Sequence, residues 1–113
     1  MIDLESKYSE LLENAFDTSF PNEWNELVEN LCDFIWTEHK NDLDRYFYFM
    51  EQHEKYPDKY EEPIKPIRPS VAQIKEKFGG LRFYADNLTE KMQGAVDFAE
   101  QLSYHIQPQG KQE

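Results

Sequence analysis

Cysteine, glycine and base are all scarce in this chain of 113 residues, which has one Cys, four Gly, and 12 Lys and Arg against 23 Asp and Glu. A single Cys32 excludes an intrachain disulfide, and its place between Leu31 and Asp33 reads as a small buried apolar residue rather than a nucleophile. No apolar run approaches the roughly 18 residues that mark a membrane span. The opening MIDLESKYSE has neither a basic stretch nor an apolar one behind it, so the expectation is a soluble, cytoplasmic protein. The net charge of -11 argues against direct nucleic-acid binding, since a polyanion repels an acidic body.

Motifs of catalysis are also missing. Neither a Walker pattern nor a dinucleotide-binding pattern occurs, and His39, His53 and His105 fall in separate segments without ligand spacing. No metal, no cofactor and no enzymatic activity are therefore expected. Disorder is not expected either, because seventeen aromatic residues supply a large apolar area for a chain of this length. The size fits one small domain.

Apolar residues recur with helical spacing at Leu4, Tyr8, Leu11, Leu12 and Ala15, predicting a first amphipathic helix that Asp17 to Pro21 ends. Asn22 is a candidate cap for a second helix, with the stripe Trp24, Leu27, Val28, Leu31, Phe34 and Ile35. Asn41 and Asp44 open a third helical segment, although Tyr46 to Phe49 could also form a short strand. In YPDKYEEPIKPIRP (56–69) prolines 63, 66 and 69 repeat every three residues, the period of a polyproline II connector, with Ile64 and Ile67 expected to pack on the domain. Residues 71–85 alternate around Gly79-Gly80 and predict a β-hairpin with a two-residue turn. That register sets Phe78 opposite Leu81, Glu76 opposite Phe83, Ile74 opposite Ala85, Lys75 opposite Tyr84 and Lys77 opposite Arg82. Asn87 and Glu90 suggest a capping box for a last helix, apolar at Leu88, Met92, Ala95, Phe98, Ala99, Leu102 and Ile106, which Pro108 ends. The fold class is thus α+β: one domain over 1–106 with three N-terminal helical segments, a hairpin and a C-terminal helix packed on it. A flexible tail follows over 107–113.

Charge is not spread evenly. Residues 1–62 carry 17 acids and 5 bases, residues 63–85 one acid and 5 bases, and residues 86–113 five acids and two bases. On the second helix Glu26, Glu29 and Asp33 recur three and four apart and form an acidic row, with Trp36 near its edge as a candidate aromatic anchor. The hairpin offers the opposite chemistry in Lys75, Lys77, Arg82 and Tyr84. Two cations facing each other across strands require an anion nearby, either an internal acid or a partner's carboxylate or phosphate. Glu76, on the apolar side of the hairpin, is a candidate acid or base if buried, and otherwise a partner for Lys or Arg.

The block QIKEKFGGLRFY (73–84), after a Trp-initiated helix WNELVENLC and before an amphipathic C-terminal helix, resembles a family of small, mostly uncharacterised bacterial and phage proteins. Members of that family often carry a Cys-x-x-Cys pair after the last helix. This chain has YHIQPQGKQE there, so a metal site implied by the family pattern is absent. The resemblance implies architecture and no particular activity.

Two functional expectations result. The first is a small acidic, non-catalytic protein that binds a partner with a basic surface, such as a nuclease toxin or a defence effector, and inhibits or neutralises it in the manner of toxin-immunity or phage anti-defence proteins. Its binding residues would be Glu26, Glu29, Asp33 and Trp36, with Lys75, Lys77, Arg82 and Tyr84 on the hairpin. The alternative is a small ligand-binding module or enzyme using Glu76 and Arg82.

Overall fold

A computed structural model describes residues 3–106; the predicted tail at 107–113, and with it Pro108, lies outside the described residues. The element order is α1 (Leu4–Lys7), a 3-10 turn (Asn22–Trp24), α2 (Asn25–Lys55), β1 (Ser70–Lys77), β2 (Gly80–Asp86) and α3 (Glu90–Ser103). The class is α+β, but the N-terminal half differs from the expected three helical segments.

The first segment is helical only over Leu4–Lys7 and continues as turns, although Leu4, Tyr8, Leu11 and Leu12 are buried as their spacing predicts. The second and third segments are one helix of 31 residues, and Tyr46 to Phe49 lie within it rather than in a strand. Thr37 to Asn41 contain no Gly or Pro, and an Asn or Asp inside a helix costs well under ~1 kcal/mol, too little to break it. Asn22 belongs to the 3-10 turn and does not cap α2.

The core gathers under α2, β1, β2 and α3. Trp24 of the entry turn and Val28, Cys32 and Ile35 of α2 are fully buried, in one cluster with Ile74 and Leu81 of the hairpin and Met92, Val96 and Ala99 of α3. The indole of Trp24 donates to the carbonyl of Ile106 at 2.6 Å, and Lys91 pairs with Glu38 at 3.2 Å, so both ends of α3 are fastened to α2 or its entry turn. Phe98, placed by sequence on the apolar stripe of α3, is 69% exposed, while Ser103 is fully buried in its stead. Thr89 rather than Asn87 caps α3: its Oγ1 accepts the Met92 N–H at 3.2 Å, and Asn87 takes a left-handed φ of 64°.

The hairpin turns one residue earlier than the Gly79-Gly80 reading. Lys77 pairs with Gly80, Glu76 with Leu81, Lys75 with Arg82, Ile74 with Phe83 and Gln73 with Tyr84. Phe78 (φ 56°) and Gly79 (φ 84°) form the turn, both with the positive φ of a type I′ geometry. Gly80 is left in the strand, where Tyr104 covers it so closely that a Cβ would lie 2.3 Å from the ring. The shift is an even one, so the two faces keep their residues, but the like-charge pair becomes Lys75 and Arg82. Ala72 is the extra residue of a bulge, which turns Val71 onto the same buried face as Ile74.

A two-stranded sheet is marginal alone, and here both edges are covered. On the β1 side Ile74 donates to the Asp17 carbonyl at 2.8 Å and Val71 to that of Leu11 at 3.0 Å, while Phe16 donates to Ala72 O at 2.9 Å. On the β2 side the Leu81 and Phe83 amides donate to Ser103 Oγ and Glu100 Oε2 of α3 at 2.8 and 2.9 Å.

The core ends at His39, beyond which no residue of α2 is buried. The second half of the helix projects as an arm, with 56–69 returning along it: His53 Nδ1 lies 2.8 Å from the Tyr60 carbonyl oxygen, and Phe49 and Tyr60 stack at 6.4 Å. The three-residue period holds, but with the prolines inward. Pro63 and Pro66 are half-buried and Pro69 buried, whereas Ile64 and Ile67 are 93% and 71% exposed, contrary to their expected packing. The molecule therefore spans 65 × 25 × 18 Å with a radius of gyration of 17.3 Å, against about 13 Å for a compact domain of this length.

Candidate functional site

Two surfaces of opposite charge are built by different elements. The acidic one lies where α1 and the turns after it cross the start of α2. Residues 3–39 hold ten acids and one base, Lys7. Glu26, Glu29 and Asp33 line an open cleft of about 720 Å³, with Lys7, Tyr8 and two asparagines as the remaining wall. The row is partly neutralised from within. Lys7 Nζ forms an ion pair with Glu29, which raises the lysine's pKa, and Tyr8 Oη donates to Asp33 Oδ1 at a long 3.4 Å. Burial, aided by the nearby Asp33 charge, holds the Tyr8 phenol above its usual value, so it stays a neutral donor. Glu26 and Asp33 are exposed, and Glu29 is half-buried beneath Lys7.

Trp36 does not join this cleft. It is half-buried, its ring 5.3 Å from that of His39, and it lines a separate groove of about 480 Å³ with Leu43, Phe47 and Pro66.

The second surface is the outer face of the hairpin, where Lys75, Lys77, Arg82 and Tyr84 all lie because hydrogen-bonded cross-strand pairs share one side. Lys77 and Tyr84 are exposed and Lys75 and Arg82 half-buried. Arg82 is held by its own strand and by α3, donating to the Leu81 carbonyl at 2.9 Å and to Tyr104 Oη at 3.1 Å. Lys75 feels the Asp17 carboxylate, which also accepts from Gln73 Nε2 at 3.2 Å. Phe78 stands at the tip, 85% exposed, with Lys77 Nζ 5.6 Å from its ring centroid.

Glu76 faces the other way, paired with Leu81, and its Oε2 accepts the Gly79 N–H at 2.7 Å. Its carboxylate fastens the turn, and Glu76 and Arg82 stand on opposite faces of the hairpin. Cys32 is fully buried, and burial pushes its thiol up to about 12, so it is held as an unreactive thiol. Among the described residues no group of three or more His, Cys, Asp and Glu is placed to hold a metal ion. No helix among them is long and apolar enough to cross a membrane.

Sequence reasoning passed over Ser103, Glu100 and Tyr104, which join α3 to β2. Their signal is faint: a polar residue in an apolar stripe reads as a helix end, although it can equally mark a helix docked against a strand edge. Scans against models of protein families and searches of curated proteins and of solved structures found no match to this chain.

Proposed function

We propose that this chain is a small acidic, non-catalytic protein that covers a basic site on a partner protein, of the kind a nuclease toxin or defence effector presents to nucleic acid, and so inhibits or neutralises it. The observation that carries this reading is the segregation of charge: residues 3–39 hold ten acids and one base, and although Arg68 pairs with Glu10 and Glu13 and Lys91 with Glu38, Glu26, Glu29 and Asp33 stand around one open cleft. Such a surface attracts Lys and Arg side chains over the Debye length, about 8 Å at physiological salt, and accelerates capture more than it deepens affinity. Tyr8 and the cleft asparagines add donors and acceptors that can fix the orientation of an incoming guanidinium. Toxin-immunity and phage anti-defence roles both fit this chemistry.

The experiment is recovery of the partner from host lysate, followed by surface plasmon resonance at about 50 and about 300 mM salt. The reading requires an association rate that falls steeply with salt and a partner whose nuclease or effector activity drops on binding. A partner captured at the same rate in both buffers contradicts it.

A further inference from the structure

The projecting half of α2 carries a second surface, further along the same helix from the acidic cleft. Its residues form two adjacent columns with seven-residue spacing: Trp36, Leu43 and Met50 in one, Lys40, Phe47 and Glu54 in the other. The returning segment 56–69 runs beside them: Tyr46 and Phe49 meet Pro63 and Pro66, and Lys65, Pro66 and Arg68 wall one flank of the columns at Trp36, Lys40, Leu43 and Phe47. The columns are covered only in part: Phe47 is 58% exposed, and Leu43, Met50 and Trp36 are half-buried. An apolar stripe left partly bare in this way buries the rest only against another element.

The charge on this arm identifies that element. Residues 40–69 hold seven acids and six bases, so the arm is almost neutral while the segment 3–39 is strongly acidic. Two copies can meet along the arm without the repulsion that would keep their bodies apart. The column of charged residues is also self-complementary. Lys40 and Glu54 each lie seven residues from Phe47, about 10.5 Å along the axis, and neither forms an ion pair with another described residue. When two such helices run antiparallel with Phe47 against Phe47, Lys40 of each copy falls beside Glu54 of the other, and Leu43 beside Met50. This is an isologous arrangement, the commonest symmetry of homo-oligomers.

We propose that the chain forms a twofold dimer through the projecting half of α2, with Phe47 at the axis and reciprocal Lys40–Glu54 ion pairs on either side. The antiparallel arms hold the two acidic clefts at opposite ends of the assembly, so each remains open.

Sedimentation equilibrium of the full chain, loaded from about 5 to about 200 μM, tests this directly. The wild type is expected to shift from 13.6 kDa toward twice that mass, and Phe47→Glu to stay at 13.6 kDa with unchanged far-UV circular dichroism. Lys40→Glu should weaken the dimer by tenfold or so, and adding Glu54→Lys should restore it, since the reversed charges again face each other. A wild type that is monomeric throughout, a Phe47→Glu dimer, or a charge swap that fails to restore association would each overturn the proposal. Glu26 and Asp33 continue the Lys40 column and Glu29 the Trp36 column toward the body, but Lys40 faces Glu54 of the other copy, one residue before its α2 ends, so the three acids lie beyond the facing helix. Phe47→Glu changes none of them, and failure here is distinct from failure of the partner-binding reading.

Discussion

Ser103 Oγ accepts the N–H of Leu81 at 2.8 Å and donates to the carbonyl of Glu100 at 2.7 Å, with the serine fully buried. One hydroxyl thus closes the outer edge of β2 and ties it to the last turn of α3. Ser103→Ala removes the acceptor and leaves the Leu81 N–H buried and unpaired, a loss of about 1–3 kcal/mol. For a domain of this size that lowers the Tm by several degrees, to be read by thermal unfolding. Ser103→Thr, which keeps the oxygen, should lose less. Equal Tm for Ser103→Ala and the wild type would show that water replaces the hydroxyl.

The turn supports two changes of opposite sign. Gly80→Ala drives a methyl into the Tyr104 ring and should destabilise by about 1–3 kcal/mol. Because the clash lies in the side chain of Tyr104, the same substitution in a Tyr104→Ala background should cost much less, a coupling that a double-mutant cycle measures. Phe78→Asn instead places at φ 56° a residue that adopts that conformation readily, in a turn whose tip makes no core contact. It should stabilise by about 0.5 kcal/mol in chemical denaturation. A Phe kept in a left-handed, exposed position at a cost in stability marks the tip as a place to look for contacts with a partner.

His39 makes stability depend on pH. It is buried where the arm leaves the body, and desolvation holds its pKa below the ordinary 6.5, against the nearby carboxylates of Asp42 and Glu10 and alongside the Arg68 charge. The unfolded chain therefore takes up more protons between the lowered value and 6.5, so this residue's contribution is present above that window and is lost as pH falls through it. Between about pH 7.5 and about pH 5 the wild type should lose more stability than His39→Gln, compared by urea unfolding at each pH. Comparison with the variant removes the opposing gain from protonating the many acids. Parallel pH curves would contradict the assignment.

The patterns that were legible in the sequence are those set by period. Leu4, Tyr8, Leu11 and Leu12, the stripe through Trp24, Val28, Leu31 and Ile35, and Ile74, Leu81 and Phe83 are all buried, because a single apolar face suffices to specify each. Boundaries were less legible. Asn22, Asn41 and Asn87 resemble caps, but a lone Asn neither starts nor stops a helix against the cooperativity of 31 residues, and Asn87 serves instead at a positive φ, donating to the Arg68 carbonyl. The hairpin register was hidden because two glycines look alike, while their roles differ: Gly79 supplies φ and Gly80 supplies room. Ile64 and Ile67 misled because prolines at the same spacing compete for the inward edge, and the rigid rings won it. The acidic row and the cationic hairpin residues each fall on one surface because helix and strand periods place them there. Trp36 was misplaced because its orientation depends on the return of residues 56–69, which no local pattern encodes.

Charge reversal on each surface, against the same partner, distinguishes the acidic cleft from the hairpin as the binding face. Glu26→Lys with Asp33→Lys changes the two exposed acids of the cleft and leaves the Lys7–Glu29 pair in place. Lys75→Glu with Lys77→Glu reverses the hairpin face. Surface substitutions of this kind usually alter stability by no more than about 0.5 kcal/mol, so kinetics can be compared between folded proteins. Partner association, measured by surface plasmon resonance at about 50 mM salt, should slow at least roughly tenfold for the cleft reversal and less than about twofold for the hairpin reversal. The opposite order, a cleft variant that associates like the wild type and a hairpin variant that does not, would rule out the acidic cleft as the binding face and place the interface on Arg82, Tyr84 and the Phe78 tip.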